Sequence, residues 1–459
     1  MILSHADEET IIARCTPQGS GAIALIRLSG KNAIEIATKI SVLPSKKTLS
    51  QMATHTIHYG FVVDEQGKHI DQVLFLLMRA PNTFTGQDTV EITCHNNSFL
   101  IEQIIQQAIK HDARPAMEGE FTKRAVLTGK IDLIQAEAIN DLIHANTQVA
   151  LKQSLAQLEG TFSHYLQAVE KSLLKALAFC EASFEFIDEE IEFGSQIAAL
   201  IAQTLTTIET LKKSYAQQQQ IRQGIRIAIL GSVNAGKSSL FNSLLNKERS
   251  IVTPIAGTTR DTIESGLYIH GNYWTLVDTA GLRTTQDIVE QAGIKRSFEQ
   301  ADLADIIILV FDGSRSLLKE EVEVYQRIIS MHHKKIIFVT TKADLMQEAI
   351  PLLMDKQIIQ ISNTLKTNVN LVAKTIQEKI NELFKAFESP FLLNQRQYNL
   401  LLALEKKIAD LPVMCNGAIA YELLSIHLND ALTTIAELTG KSISEAAMDA
   451  IFREFCVGK

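Results

Sequence analysis

The feature that restricts this chain most is one strand–loop–helix junction. The apolar run RIAIL (226–230) passes directly into Gly231-Ser-Val-Asn-Ala-Gly236-Lys237-Ser238, and a helical segment, SLFNSLLN, follows. This is G-x-x-x-x-G-K-[ST] in the context it needs. The glycines let backbone N–H groups turn inward and wrap phosphate oxygens. The following helix N-terminus adds partial positive charge. Lys237 brings a point charge to the outer phosphates, and Ser238 an oxygen for Mg²⁺. A loop of this kind sits at the end of a parallel strand, so the surrounding segment is expected to be α/β.

The flanking pattern agrees. WTLVD (274–278), DIIILVF (305–311), KIIFVT (335–340) and QIIQIS (357–362) are short apolar runs separated by helical segments. Near-continuous apolar strands alternating with helices predict a parallel sheet covered on both faces. WTLV delivers Asp278-Thr279-Ala280-Gly281, whose carboxylate can hold Mg²⁺ through water and whose Gly281 N–H can sense a γ-phosphate. KIIFVT delivers Thr341-Lys342-Ala343-Asp344, and the Asp344 carboxylate can accept two N–H groups from guanine that adenine cannot offer. Between them and the first loop lies Gly257-Thr258-Thr259-Arg260-Asp261, with threonines able to cap Mg²⁺ and the γ-phosphate. In this order the elements predict a Mg²⁺-dependent GTPase. Two positions depart from the usual pattern. Thr341 stands where such loops carry Asn, which weakens one purine contact. Leu282 stands after the D-x-x-G where a water-orienting Gln is common.

The chain has 459 residues, enough for two to four domains. Its charged fraction of 21% and hydrophobic fraction of 46% exclude wholesale disorder. The net charge of −8 excludes an overall basic nucleic-acid coat but not a local patch. Cys15, Cys94, Cys180, Cys415 and Cys456 are dispersed without a C-x-x-C pair, against a disulfide framework or zinc ribbon. The adjacent His332 and His333 read as surface residues. MILSHADEETIIARC is no secretory signal, and no apolar stretch of about 18 residues predicts a membrane span. A reduced, cytoplasmic compartment is expected.

No proline lies between Pro115 and Pro254, which permits long helices. Residues 1–120 read as a small α+β domain with strands at 11–15, 22–30, 72–80 and 89–95, a hairpin from 55–64 into 72–80, and a helix at 99–110. Residues 121–222 read as amphipathic helices, the last ending near Gln217–Gln220. Residues 223–385 form the α/β unit, inserted into a helical domain that resumes over 386–459.

The motifs together resemble the family of tRNA-modification GTPases called MnmE or TrmE. TPQGSGAIALIRLSG (16–30), PNTFTGQDTVE (81–91), EGEFTKRAVLTGKIDLIQAEAI (118–139), GSVNAGKSSLFN, GTTRD, DTAGLR and above all IFREFCVGK (451–459) carry the resemblance. It implies a folate-binding, dimer-forming N-terminal domain, a helical domain and an inserted G domain. It further implies that the chain, as a homodimer with the FAD-dependent partner MnmG in a heterotetramer or larger complex, installs aminomethyl or carboxymethylaminomethyl groups on the wobble uridine of certain tRNAs. The carbon comes from 5,10-methylenetetrahydrofolate or 5-formyltetrahydrofolate, and hydrolysis is stimulated by K⁺-dependent pairing of two G domains.

Carried onto this sequence, the GTP set is Asn234, Ala235, Gly236, Lys237, Ser238, Ser239, Thr253, Pro254, Ile255, Ala256, Gly257, Thr258, Thr259, Asp278, Thr279, Ala280, Gly281, Thr341, Lys342, Ala343, Asp344, Ser362, Asn363 and Thr364. Ser238 and Thr259 match Mg²⁺ ligands, and Asn234 with Thr253, Ile255 and Thr258 matches K⁺ ligands. A bridging K⁺ compensates electrostatically for Leu282. Asn234, Lys237 and Glu290 form the catalytic set. Locally Glu290 reads as a solvated helix charge, and the resemblance makes it the water-positioning carboxylate. Arg27, Glu91, Lys130 and Lys459 match folate contacts, and Cys456 matches a tail cysteine that is either a nucleophile or packing. His95-Asn96-Asn97 replaces the family's His-Gly-Gly, with Asn expected to keep the turn through positive φ. tRNA contact is expected to be dispersed or shared with the partner. A ribosome-assembly GTPase and a folate-dependent methyltransferase-like enzyme are the competing readings.

Overall fold

A computed structural model describes residues 8–185, 193–213, 215, 224–247, 263–269, 272–278, 298–346, 350, 352, 356–362, 364–365, 367–385, 391–416 and 419–458. The chain divides into two compact units, one of residues 1–140, 155–208 and 395–459, the other of 141–154 and 209–394. Along the sequence the second therefore interrupts the first.

The first unit opens with a seven-stranded sheet: β1 (Ile11–Arg14), β2 (Ile23–Ser29), β3 (Ser41–Val42), β4 (Thr56–Val63), β5 (His69–Met78), β6 (Thr89–His95) and β7 (Arg114–Pro115), in the order β3-β4-β5-β6-β2-β1-β7. All pairs are antiparallel except β1 with β7. Period-2 alternation assigns the faces. Ile26, Leu28, Phe75, Leu77, Val90 and Ile92 pack against α1 (Ala33–Lys39) and α2 (Ser98–Lys110). The other face carries Arg27, Glu91 and Thr93, with Ile23, Ile57, Tyr59 and Leu74 exposed upon it. The expected hairpin is present as β4–β5, with a bulge at Val62/Val63. The sequence reading lacked α1 and the two-residue strands β3 and β7, which are too short to show a period.

Asn97 does not use positive φ. At φ −122° its side chain caps α2, accepting from Phe99 N at 2.9 Å. The substitution of the expected glycines is therefore accommodated by N-capping, which corrects the positive-φ expectation.

Helices follow: α3 (Glu120–Leu127), α4 (Leu133–Ile143), α5 (Gln148–Leu158), α6 (Thr161–Glu185) and α7 (Gly194–Lys213). The tract Gln217–Gln220 lies outside the described residues. The second unit then builds a six-stranded sheet from β8 (Ile225–Gly231), β9 (Ile263–Ile269), β10 (Asn272–Asp278), β11 (Ile306–Asp312), β12 (Ile336–Thr341) and β13 (Ile358–Gln360), in the order β13-β12-β11-β8-β10-β9. It is parallel except for β9, an antiparallel edge strand that the apolar-run reading missed. α8 (Lys237–Lys247) and α10 (Val369–Lys385) cover one face, and α9 (Lys319–His332) the other. Every residue of the central strand β11 is buried. His332 is not a free surface residue. Its side chain is 11% exposed, with Nε2 at 3.3 Å from Asp302 Oδ1.

The first unit resumes with α11 (Gln395–Ile408), α12 (Leu411–Met414), α13 (Tyr421–Thr439) and α14 (Glu445–Phe452). Arg396, at the start of α11, meets buried Glu137 of α4 through two bonds of 2.7 and 2.8 Å. Gln397 adds a third bond to Glu137 at 2.7 Å. Arg396 also donates to the Glu437 and Leu438 carbonyls that end α13, at 3.2 and 3.0 Å.

Candidate phosphate and folate sites

β8 points its C-terminal end at the phosphate loop, as strand–loop–helix geometry requires. A Cβ on Gly231 would run into the Val310 carbonyl, so only glycine lets β8 turn this close to β11. Asn234 takes φ 64° and is exposed at the rim, and Gly236 takes φ 83°. The Lys237 side chain is buried and donates to the Gly231 and Ser232 carbonyls, each at 2.7 Å. The loop thus holds the ammonium at the N-terminus of α8, beside Ser238 and the exposed Ser239.

The base side is tied to the phosphate side through Thr341. Its buried hydroxyl lies 2.7 Å from the Ala235 carbonyl and 3.1 Å from the Phe311 carbonyl. The side chain in the usual Asn position is therefore turned into the protein as a tether to the phosphate loop. Lys342 takes φ 54° and donates to Asp312 Oδ2 at 2.6 Å. Burial pushes the Asp312 carboxyl up, but hydrogen bonds from Lys342 and Ser314 outweigh it and hold it below the ordinary value. Asp344 lies on the short 3₁₀ turn Ala343–Leu345, and Ala343 N donates to Ile361 O at 3.0 Å. Ser362 is buried, its hydroxyl accepting from Leu365 N at 3.2 Å, and Thr364 is exposed. Asp312 was not singled out by the sequence reading, although an acid ending an apolar strand beside Gly-Ser is a visible signal.

Thr253, Pro254, Ile255, Ala256, Gly257, Thr258, Thr259, Thr279, Ala280, Gly281, Leu282, Glu290, Asn363 and Lys459 lie outside the described residues. Asp278 is described as the end of β10 but its side chain is not.

A second constellation lies in the first unit. Antiparallel register puts Arg27 opposite Glu91, and Nε and Nη2 of the arginine reach Glu91 Oε1 at 2.8 and 2.7 Å. The guanidinium lies 5.9 Å from the Phe84 ring centroid and 5.5 Å from that of Phe121. The C-terminal tail ends here. Val457 bridges Glu118, Gly119 N donates to Cys456 O, and the Gly458 carbonyl accepts from Cys15 Sγ at 3.1 Å and Arg27 Nη1 at 3.5 Å. Gly458 takes φ 94°, and a Cβ there would meet Cys15 Cα at 2.8 Å. Cys456 is exposed. Lys130 is also exposed and makes no hydrogen bond to Arg27 or Glu91 among the described residues. Cys15, Phe84 and Phe121 escaped the sequence reading, because nothing local links them to a tail more than 300 residues away.

No group of three or more His, Cys, Asp or Glu suited to a metal occurs among the described residues. No described helix is long and apolar enough to cross a membrane.

The parallel sheet, the phosphate loop and the Thr341–Asp344 loop define a P-loop GTPase, a hydrolase of GTP. The profile described as MnmE helical domain matches residues 133–456, and that described as GTP-binding protein TrmE N-terminus matches 10–130. The chain is 38% identical to tRNA modification GTPase MnmE of Lachnoclostridium phytofermentans, over 98% of this chain and 99% of that protein. It is 37% identical to tRNA modification GTPase MnmE of Bacillus subtilis, over 98% of this chain and 100% of that one. Among solved structures, a variant of Aquifex aeolicus Era bound to GDP.AlF4- is 25% identical, covering 40% of this chain and 66% of its own, with a TM-score of 0.28. The chain belongs to the MnmE family of tRNA modification GTPases.

Proposed function

We propose that this GTPase acts in a two-protein enzyme that modifies the wobble uridine of certain tRNAs, in the cytoplasm, with a tetrahydrofolate one-carbon donor and an FAD-dependent partner, MnmG. The domain division proposed with it is 1–120 for folate and dimerisation, 121–222 and 386–459 for the helical domain, and 223–385 for the G domain. The observation that carries the reading is the tail. The Gly458 carbonyl accepts from Arg27 Nη1 beside Glu91, and the exposed Cys456 lies two residues before it, which supports a role for the tail next to a charge pair suited to a folate. A fixed guanidinium can pair a glutamyl carboxylate, a fixed carboxylate can accept from a pterin N–H edge, and the flanking Phe84 ring offers a face to a planar heterocycle. These residue types fit the group. Lys130 and Lys459 are proposed to join them.

Mg²⁺ and K⁺ are hard cations that take oxygen donors. The Ser238 hydroxyl and the exposed Asn234 side chain are such donors, which supports Mg²⁺ at Ser238 with Thr259, and K⁺ at Asn234 with Thr253, Ile255 and Thr258. A cation there supplies positive charge to developing phosphate charge. Leu282 offers no hydrogen bond to an attacking water, so Glu290 is proposed to orient it. Homodimerisation is supported by the apolar outer face of the seven-stranded sheet.

GTP hydrolysis compared in KCl and NaCl tests the cation. Acceleration in potassium is expected, and equal rates remove it. Mass analysis of wobble uridines in a deletion strain tests the pathway. Loss of the modified nucleoside is expected, and its persistence overturns the assignment. The ribosome-assembly reading is not favoured, since near full-length identity runs to the tRNA modification proteins.

A further inference from the structure

The phosphate loop is held from behind by a residue outside all of the GTPase motifs. Tyr325 lies on α9, 3% exposed, with its ring 4.5 Å from that of Phe311. Its hydroxyl accepts from Ser232 N at 2.7 Å and donates to the Val310 carbonyl at 3.1 Å. Ser232 N–H and the Gly231 carbonyl belong to the same peptide unit, which is planar. The opposite end of that plane, the Gly231 oxygen, accepts from Lys237 Nζ at 2.7 Å. One rigid plane therefore connects the tyrosine hydroxyl to the phosphate-binding ammonium.

We propose that Tyr325 is a positioning residue for GTP. By pinning the 231–232 peptide plane to β11, it fixes the carbonyl that aims the Lys237 ammonium into the phosphate loop. Gly231 makes the arrangement necessary, because it has no side chain to anchor the turn and cannot accept one against Val310. Burial pushes the Tyr325 hydroxyl pKa up, so it stays protonated and able to donate. Arg315 reinforces the same residue from α9's N-terminal side. Its Nη2 is 3.4 Å from Ser232 Oγ while Glu321 holds it at 2.6 and 2.9 Å. The proposal rests on the phosphate-loop reading. If the wild-type chain bound no guanine nucleotide at all, that reading would fail first.

The test is Tyr325→Phe in the full chain, which keeps the ring and removes only the hydroxyl. On the phosphate-loop reading Lys237 meets the phosphates already in the ground state, so KM should rise by a larger factor than kcat falls. Affinity for a fluorescent GDP analogue should fall roughly tenfold, the scale of one lost hydrogen bond to a buried amide. A purely structural tyrosine would weaken nucleotide equally whatever residue 237 is. Tyr325→Phe is therefore repeated on a Lys237→Ala background, where little further loss is expected. Equal loss in both backgrounds, or none in the first, overturns the proposal. Should Lys237→Ala bind too weakly to measure, amide exchange of residues 231–236 decides without nucleotide. Faster exchange in folded Tyr325→Phe is expected, and unchanged exchange overturns the inference.

Discussion

Thr341 shows how much one hydroxyl can carry. It has a single proton and two carbonyl neighbours, from the phosphate loop and from the end of β11. Thr341→Val keeps the shape but leaves those carbonyls facing a methyl group, which should cost about 1–2 kcal/mol. Denaturant unfolding should register that loss, calorimetry should register GDP binding several-fold weaker, and Thr341→Ser should restore both. Asp312 makes a prediction with a sign. Its folded pKa is depressed below the ordinary 3.8 by Lys342 and Ser314 against the opposing effect of burial. A depressed carboxyl contributes stability above its unfolded pKa and loses it as pH falls through the folded one. The stability gap between wild type and Asp312→Asn should therefore be constant from about pH 7 to about 5 and shrink below about pH 4. Urea unfolding across that range checks it, and a gap that widens in acid would show the pairing misread. Thr341 and Asp312 also mark what sequence can and cannot supply at this scale. Position 341 was legible as a departure from a motif, but its direction, inward to Ala235, depends on the register of β12 against β11.

At the scale of elements, apolar runs made most strands of the second unit readable, because a strand buried on both faces must be apolar throughout. β9 escaped because IESGLYI, paired only on one side, mixes Glu, Ser and Gly with its apolar residues. The helical part was legible as helices but not as an arrangement. Its principal clamp, Glu137 with Arg396 and Gln397, joins α4 to α11 across some 260 residues. No local periodicity shows such a pairing. Glu137 is 7% exposed, so removing it leaves a guanidinium and an amide short of their acceptor. Arg396 keeps two carbonyl partners at the end of α13, which places the loss at the low end for a broken buried pair, about 3 kcal/mol. Glu137→Ala should lower the denaturation midpoint and speed amide exchange in α11, and Glu137→Gln, which keeps an acceptor, should do so less. Unchanged exchange in α11 would mean the clamp does not hold the helix.

The sheet face opposite α1 and α2 raises a question about the whole molecule. An antiparallel sheet open to water ordinarily alternates apolar residues inward with polar ones outward. Here the outward set includes Ile23 and Ile57, each 63% exposed, with Tyr59 at 46% and Leu74 at 41%. Tyr59 and Leu74 are cross-strand partners and Ile57 pairs with Leu76, so the residues exposed on β4 and β5 form one continuous patch. Patches of this kind mark contact surfaces, and a self-complementary two-fold pairing is the commonest way to cover one. The Arg27–Glu91 pair lies on the same face, so covering the patch with a second copy would bring that charge pair to the edge of the interface. Tyr59→Asp places a charge at the centre of the patch without touching the core beneath, since Gly60 and Val62 face the other way. Light scattering at micromolar concentration should then give the monomer mass, whereas the proposed homodimer predicts twice that for the wild type. GDP affinity should be unchanged, because Tyr59 and the phosphate loop belong to different compact units. A variant that remains dimeric would separate the apolar face from self-association, and a different protein would become the candidate to cover it.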